Sequence, residues 1–485
     1  MANDLTERIL GHFLRLAAIP RPSGHEEKIG GFLCAWAREQ GLTARLDNAG
    51  NVIIDAPAAP GRENAPLTVL QAHMDMVAIS LDAGYDPLAA PVKPVREGNI
   101  LRAENSSLGA DDGSGIAIIM EYLTAAAPHG PLRAVFTVGE EEGMDGAKAL
   151  TAADFADCAY VLNLDNELLG EAVISSAGGI SLTIAAPARG QTPPPELSAG
   201  ARIAFAGGQG GHSGVEIAKN RVNAVLAVGG VLEDLREQGV PFALASFDEN
   251  NGRHNAIPNN AAAVIAVTEG DLPRVREITA ARAEALRARH RGADDAFTMT
   301  AETATRPGEV ANAGRQKDFL GFLTALPDGV IARNDAGEVI ASSNFSCVAV
   351  DSRRFSGTVF FRANTDEWLQ KLDRDFRARL ERSALPFTVS AATPCWPAKP
   401  EAKLYAYARD AYRAACGREL NLTTIHAGLE TGTFALLNPQ MEIISFGPTL
   451  EDVHTAREKM LIDTLEPVYR MLENILKKIS LEKTE

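Results

Sequence analysis

Residues 66–77, PLTVLQAHMDMV, are apolar almost without interruption until a histidine and an aspartate break the run. A strand with one face in water would alternate polar and apolar residues. A nearly continuous run is that of a strand buried on both faces, as in a parallel sheet. The surrounding sequence supplies the crossover helices such a sheet needs. LTERILGHFLRLAA (5–18) repeats apolar positions at helical spacing until Pro20 and Pro22 stop it. Residues 25–40 read as a second helix, with Leu33 and Trp36 on its apolar side, and short strands are expected at 43–47 and 51–55. A Gly/Asp-rich turn (109–115) leads into the apolar helix GIAIIMEYLTAA, and the strands LRAVFTVGEE (132–141) and AYVLNLDNE (159–167) follow. This rhythm predicts an α/β domain with a mixed, mainly parallel sheet.

The pattern changes near residue 180. From there to 390 a β-α-β-β-α-β order is read twice, which predicts an inserted α+β domain of doubled ferredoxin-like form. ISLTIAA or ARIAFAG opens the first round and AFTMTAE closes it; QKDFLGFLTAL opens the second and FTVSAA closes it. The proline-rich QTPPPELS (191–198) reads as a surface loop. From about 391 the α/β character returns, with a helix at 402–416, the strand MEIISFG (441–447) and a long helix from about 459. A core strand supplied from beyond the insert makes the first domain discontinuous: 1–180 and 391–485 would carry the chemistry, and 181–390 would form a lid.

Lys and Arg number 47 against 63 Asp and Glu, a formal net charge of −16. That balance argues against nucleic acid or an anionic membrane surface as partner. The five cysteines are scattered and no CxxC pair occurs, which removes thiolate zinc knuckles and fits a reducing compartment. No basic n-region followed by an apolar stretch opens the chain, and no apolar run approaches ~18 residues, so a cytoplasmic location is expected.

Chemistry-bearing residues gather where the predicted strands end, the favoured place for sites in open α/β sheets. In His73-Met74-Asp75, a carboxylate two residues from an imidazole can fix its tautomer for metal binding; a buried histidine–aspartate pair would give the same string. Asp111 and Asp112, between Gly109 and Gly113, could equally cap the following helix. Glu140, Glu141 and Glu142 resemble a solvated loop, but they follow an apolar strand directly, so at least one should point over the sheet edge. Asp165 ends another strand and is also a common turn former. His454 follows a C-terminal strand. Together, two histidines and three or more carboxylates form a nitrogen/oxygen donor set without thiolate, suited to zinc and also to manganese or cobalt. One carboxylate can bridge two metals ~3.5–4 Å apart, the geometry of a dinuclear hydrolase.

The strings IPRPSGHE, LQAHMDMV, LGADDGSGIA, EEEGMDGA, GGHSGVEIAKNRVNA, NAIP, HAGLETG and FGPTLEDVHT span nearly the whole chain. On them the sequence resembles the dinuclear-zinc metallopeptidase family of carboxypeptidase G, aminoacylase and carnosinase, and within it the aminoacyl-histidine dipeptidase branch. The resemblance implies two zinc ions per chain: His73 and Asp165 on one, Glu141 and His454 on the other, Asp111 bridging. Asp75 would orient His73 and Glu140 would be the general base. Asp112 stands where the dipeptidases often have Asn, and Glu142, where Ala is frequent, would be an exposed bystander. His212, in the glycine-rich GGHSG, lacks the lysine of a phosphate loop; the resemblance makes it a donor to the scissile carbonyl. His426 and Glu430 of HAGLETG would grip the ends of a dipeptide, with Asn255 and Arg362 as weaker substrate contacts. The expected activity is hydrolysis of small dipeptides, with a homodimer compatible. A deacylase or carbamoyl-amino-acid hydrolase on the same scaffold, and a catalytically silent zinc-stabilised binding protein, are the competing readings.

Overall fold

The computed structural model describes residues 2–125, 127–249, 252–382, 385–390 and 392–483. The chain divides into two compact units. The first comprises Met1–Ser176, Trp396–Thr424 and Leu429–Glu485; the second comprises Ala177–Cys395 and Ile425–Gly428. The sequence reading kept 391–485 in one piece. The structure differs in giving the short segment around His426 to the second unit, because Ala177 N–H bonds the carbonyls of Ile425 and Ala427.

The first unit is built on an eight-stranded sheet in the order Thr43–Leu46, Val52–Ala56, Leu132–Thr137, Leu67–His73, Cys158–Asn163, Glu442–Ser445, Glu171–Ser176, Asn421–Ile425. The four inner strands, 132–137, 67–73, 158–163 and 442–445, run parallel. Antiparallel strands close the margins. Strand 67–73 is buried at every position after Leu67, which explains its continuous apolar run. Helices Ala110–Thr124, Lys403–Cys416 and Leu465–Ile479 join the same core. The last buries Leu465, Val468, Leu472, Ile475, Leu476 and Ile479, a three-to-four spacing that lines one helical face.

That helix begins at Leu465, not near 459. Lys459–Leu461 is instead a strand of a small antiparallel sheet, in the order Leu450–Glu451, Lys459–Leu461, Ile100–Ala103, Pro94–Glu97. Pairing with Ile100–Ala103 overrides the helical pattern of these three residues. One result is that residues 452–458, with His454 among them, form the loop of a β-hairpin.

The main sheet of the second unit is antiparallel, in the order Thr298–Ala304, Ala199–Ala206, Ala261–Val267, Phe242–Asp248, Val339–Val350, Arg354–Ala363, Gly178–Pro187, Phe387–Val389. Gly329–Arg333 adds to the side of 339–350. Each half has the ferredoxin-like order with two helices, and the halves join through Phe247↔Val350 and Asp248↔Ala349. They are nested, not consecutive. ISLTIAA lies in the strand Gly178–Pro187, which pairs with 354–363 and 387–389 and so belongs to the half completed last. The chain leaves that half and re-enters it through the two-stranded contact Gly190↔Ala311 and Gln191↔Val310.

Candidate active site

All four parallel strands of the first unit point their carboxyl ends to one edge, and each is followed there by an acid or a histidine. His73 is the last residue of its strand and is 1% exposed. Its Nδ1 lies 3.2 Å from the carbonyl and 3.4 Å from the carboxylate Oδ1 of Asp75. Its Nε2 faces Asp111 Oδ1 at 3.0 Å and Asp165 Oδ1 at 3.9 Å. Asp165 lies two residues beyond the strand Cys158–Asn163. From the hairpin loop, His454 aims its own Nε2 at Asp111 Oδ2, 3.0 Å away, and at Glu141 Oε1, 2.9 Å away. Each oxygen of the Asp111 carboxylate thus faces a different imidazole.

The acidic loops are seated by backbone hydrogen bonds. Asp75 accepts Ser23 Oγ–H at 2.7 Å, Glu140 N–H at 3.0 Å and Glu141 N–H at 3.2 Å. Gly139, just before, takes a positive φ of 62° and donates to Glu26 Oε1 at 2.9 Å. Asp111 and Asp112 depart from helical dihedrals inside Ala110–Thr124, and the peptide between them is cis. Asp112 turns away to accept Gly115 N–H at 3.0 Å, and Glu142 is exposed.

The electrostatics follow from this crowding. Burial opposes a charge on His73, but hydrogen bonds to Asp111 and Asp75 outweigh it and lift the imidazole well above its ordinary pKa. For His454 burial is likewise overcome by Asp111 and Glu141, and its pKa rises to about 11. Asp111, despite burial, is held far below the usual carboxylate range by the two histidines. Burial, reinforced by neighbouring acids, drives Glu140 and Asp165 well above that range. Opposed imidazoles and carboxylates thus balance one another's charge across the cluster. The same nitrogen and oxygen atoms could serve a divalent cation. His73 Nδ1 is engaged by Asp75, which leaves Nε2 for coordination. Glu141 Oε1 is buried and faces His454 Nε2 at 2.9 Å. One ligand atom each from His73, Asp111 and Glu141 lie within 4.8 Å of one another. The residues fit a hard-to-borderline divalent metal.

In the second unit the structure brings His212, Arg362, His426 and Asn255 together. His212 lies on a short strand paired with Ala256–Ile257, and Ser213 N–H bonds the carbonyl of Asn255 at 2.8 Å. His212 Nδ1 accepts the N–H groups of Gly214 and Val215, each at 3.2 Å. An acceptor Nδ1 puts the proton of the neutral ring on Nε2. That Nε2 stands 3.4 Å from Arg362 Nη2. Arg362 is 6% exposed, stacks over Phe360 at 4.3 Å, and has no carboxylate partner among the described residues. Burial alone lowers its pKa, to about 10. His426 bonds Ser342 Oγ at 2.8 Å and Asn364 Oδ1.

Glu430 does not join that group. It belongs to the first unit, is 1% exposed, and accepts Gln71 Nε2 and Thr137 Oγ1, each at 2.7 Å. Its side chain enters the sheet because the helix Glu430–Leu437 starts there and buries its first residues. Sequence reasoning gave no role to Arg21 or Glu26 of IPRPSGHE, nor to Glu458. Arg21 is 1% exposed and donates to the carbonyls of Met74, Asp75 and Gly109. An arginine between two prolines before a buried acid was the available signal.

Two imidazoles and several carboxylates converging at the carboxyl edge of a parallel sheet form the donor set of a metal-dependent hydrolase. The chain belongs to the peptidase family M20/M25/M40, whose model matches residues 69–478. It is 29% identical over 483 residues to the cytosol non-specific dipeptidase of Escherichia coli (strain K12), covering 96% of each chain. The structure is similar to the aminoacylhistidine dipeptidase of Vibrio alginolyticus, with a TM-score of 0.83, 29% identity, and coverage of 99% of this chain and 97% of that one. Human carnosine dipeptidase 1 shares the fold at a TM-score of 0.53 and 11% identity, over 99% and 100% of the two chains.

Proposed function

We propose that this protein hydrolyses the peptide bond of dipeptides at a centre holding two zinc ions, with manganese or cobalt as substitutes. His73 and Asp165 would hold one ion and Glu141 and His454 the other, with Asp111 placed to serve both. The observation that carries this reading is the Asp111 carboxylate, whose two oxygens each lie 3.0 Å from Nε2 of a different histidine. Bound divalent metal supplies acidification of water to near neutrality and polarisation of the substrate carbonyl.

The protein's own groups do the rest. Glu140 takes the proton of the attacking water and hands it to the amine nitrogen as the C–N bond breaks. His212, through Nε2–H, and Arg362 donate to substrate oxygen, a contribution of roughly 3–4 kcal/mol for a well-placed donor in the transition state. His426 and Asn255 shape the surroundings of that donor pair. The Escherichia coli and Vibrio alginolyticus dipeptidases, each 29% identical, match nearly the full chain, which favours dipeptides over the acylated or carbamoylated amino acids of the competing reading. A further carboxylate, Glu140, beside the proposed ligands favours turnover over a silent structural site, which has no need of a base.

The test is Glu140→Gln assayed on a dipeptide panel that includes Xaa-His pairs. Turnover is expected to fall by about 10²–10⁴, with zinc content unchanged. Loss of one zinc per chain would make Glu140 a ligand and exchange its role with that of Glu141.

A further inference from the structure

Glu458 is 2% exposed and lies in the hairpin loop that carries His454, four residues further on. Its carboxylate does not face another side chain. Oε2 accepts Leu108 N–H at 2.7 Å and Gly109 N–H at 2.9 Å; Oε1 accepts Ala110 N–H at 2.7 Å and Asp111 N–H at 3.3 Å. Four consecutive amides, ending at Asp111 itself, converge on one anion from a segment about 350 positions away in sequence.

The same stretch is held from its carbonyl side. Arg21 donates Nη2–H to Gly109 O, and its Nη1 donates to Met74 O at 2.6 Å and Asp75 O at 2.9 Å. The guanidinium thus ties the loop of Asp111 to the loop that follows His73. Glycine is required on this path. A Cβ on Gly109, whose φ is 66°, would stand 2.8 Å from Arg21 Nη2, and one on Gly113 would stand 2.6 Å from it. The backbone before Asp111 therefore runs between a buried cation and a buried anion, its carbonyl turned to one and its amides to the other. No helix turn or local side-chain cap holds it: Gly109 has no side chain to offer, and Asp111 and Asp112 are not helical.

We propose that Glu458, opposed by Arg21, is a positioning residue that fixes the Asp111 carboxylate for both metals and couples it to His454. This rests on the metal-centre reading above. His454 and Glu458 share one loop, so a displacement of that loop moves a ligand of one metal and the bridging carboxylate together. The seat is formed by protein groups alone, so its formation needs no ion. Metal then binds a prepared carboxylate and does not have to order a free loop.

The experiment compares wild-type protein with Glu458→Gln, Glu458→Asp and Arg21→Lys. Zinc affinity and stoichiometry are measured by competition with a chromophoric chelator, and kcat and KM at saturating zinc. Gln places an amide donor against backbone donors. Glu458→Gln is expected to bind zinc about 10–100-fold more weakly. Its kcat should fall by at least about tenfold, with KM for the dipeptide within about threefold of wild type. Asp, which keeps the charge on a shorter stem, should recover part of both. A purely structural role would lower the melting temperature and leave zinc affinity and kcat of the folded protein within about twofold of wild type; that result overturns the proposal. If Glu458→Gln does not fold, Arg21→Lys and Glu458→Asp decide by the same criteria. If wild type itself binds no zinc, the metal-centre reading fails, an outcome distinct from a wild type that binds two and a variant that binds equally well.

Discussion

Burial, with Arg362 and His212 nearby, holds the His426 imidazole neutral and moves its pKa down to about 3. The unfolded chain takes up a proton near pH 6.5, and the folded chain resists it until far lower. Between those values the unfolded state binds more protons, so stability falls as pH drops from about 6.5 towards 3. A shift of this size corresponds to about 5 kcal/mol once pH is below both values. His426→Gln, which does not titrate, is expected to flatten this limb in denaturant unfolding measured at pH 7 and pH 4; an unchanged slope would place the acid sensitivity elsewhere. The residue scale also shows what a sequence conveys. The convergence of His73, Asp111, Glu141, Asp165 and His454 was legible because each stands at the end of a strand or in a string with a recognisable neighbour. Glu458 was not. A carboxylate that accepts backbone amides has no side-chain partner, hence no spacing to betray it. Glu430 carried the opposite lesson: its string was recognised, but nothing in a string says that the side chain turns into the sheet against Gln71 and Thr137.

At the scale of elements, a recurring device holds the functional loops: a carboxylate from elsewhere in the chain collects their amide hydrogens. Asp75 seats Glu140 and Glu141, Glu26 seats Gly139, and Glu458 seats 108–111. Asp294 does the same in the second unit, accepting Gln209 N–H at 3.1 Å and Val222 N–H at 3.0 Å on either side of His212. Amides neutralise part of each anion, which lets several acids crowd one edge. Asp75 shows the balance: burial alone would raise its pKa, but hydrogen bonds to His73, Ser23 and Glu140 bring it down to about 2. Its stabilising effect is present above the unfolded value near 4 and is lost as pH falls through about 2. Asp75→Asn turns an amide donor towards backbone donors and releases His73. It is expected to cost about 2–4 kcal/mol of stability and to weaken zinc binding about 10–100-fold, read by calorimetry and chelator competition. Undiminished zinc affinity would mean that His73 needs no orienting partner. Strands were the readable elements, because continuous apolar runs belong to parallel strands buried on both faces. The start of the last helix was not, because Lys459–Leu461 has a sheet partner more than 350 residues away.

For the whole molecule, the proposed metal ligands all belong to the first unit, so ion binding would stabilise that unit by mass action. At zinc one hundredfold above its dissociation constant the gain is about 2.7 kcal/mol. For a unit of this size that is a melting shift of roughly 5–10 °C. Chelation is expected to lower melting by that amount and zinc to restore it; identical melting with and without chelator would remove the ions from the account. The α/β class and the ferredoxin-like pattern were legible at this scale, since both rest on periodicity and order. The nesting of the two halves was not. Which of two similar strands closes which half depends on pairing, and both ISLTIAA and ARIAFAG fit the opening position.

The interrupted sheet of the first unit also sets an order of events during synthesis. Cys158–Asn163 pairs on one side with Leu67–His73, already made, and on the other with Glu442–Ser445, made about 280 residues later. At about 5–20 residues per second, a ribosome leaves that inner strand with one bare edge for roughly 15 to 55 seconds. An apolar, unpaired edge is a template for the wrong neighbour. The nascent chain therefore passes through a long interval in which shielding by chaperones matters more than the stability of the finished fold.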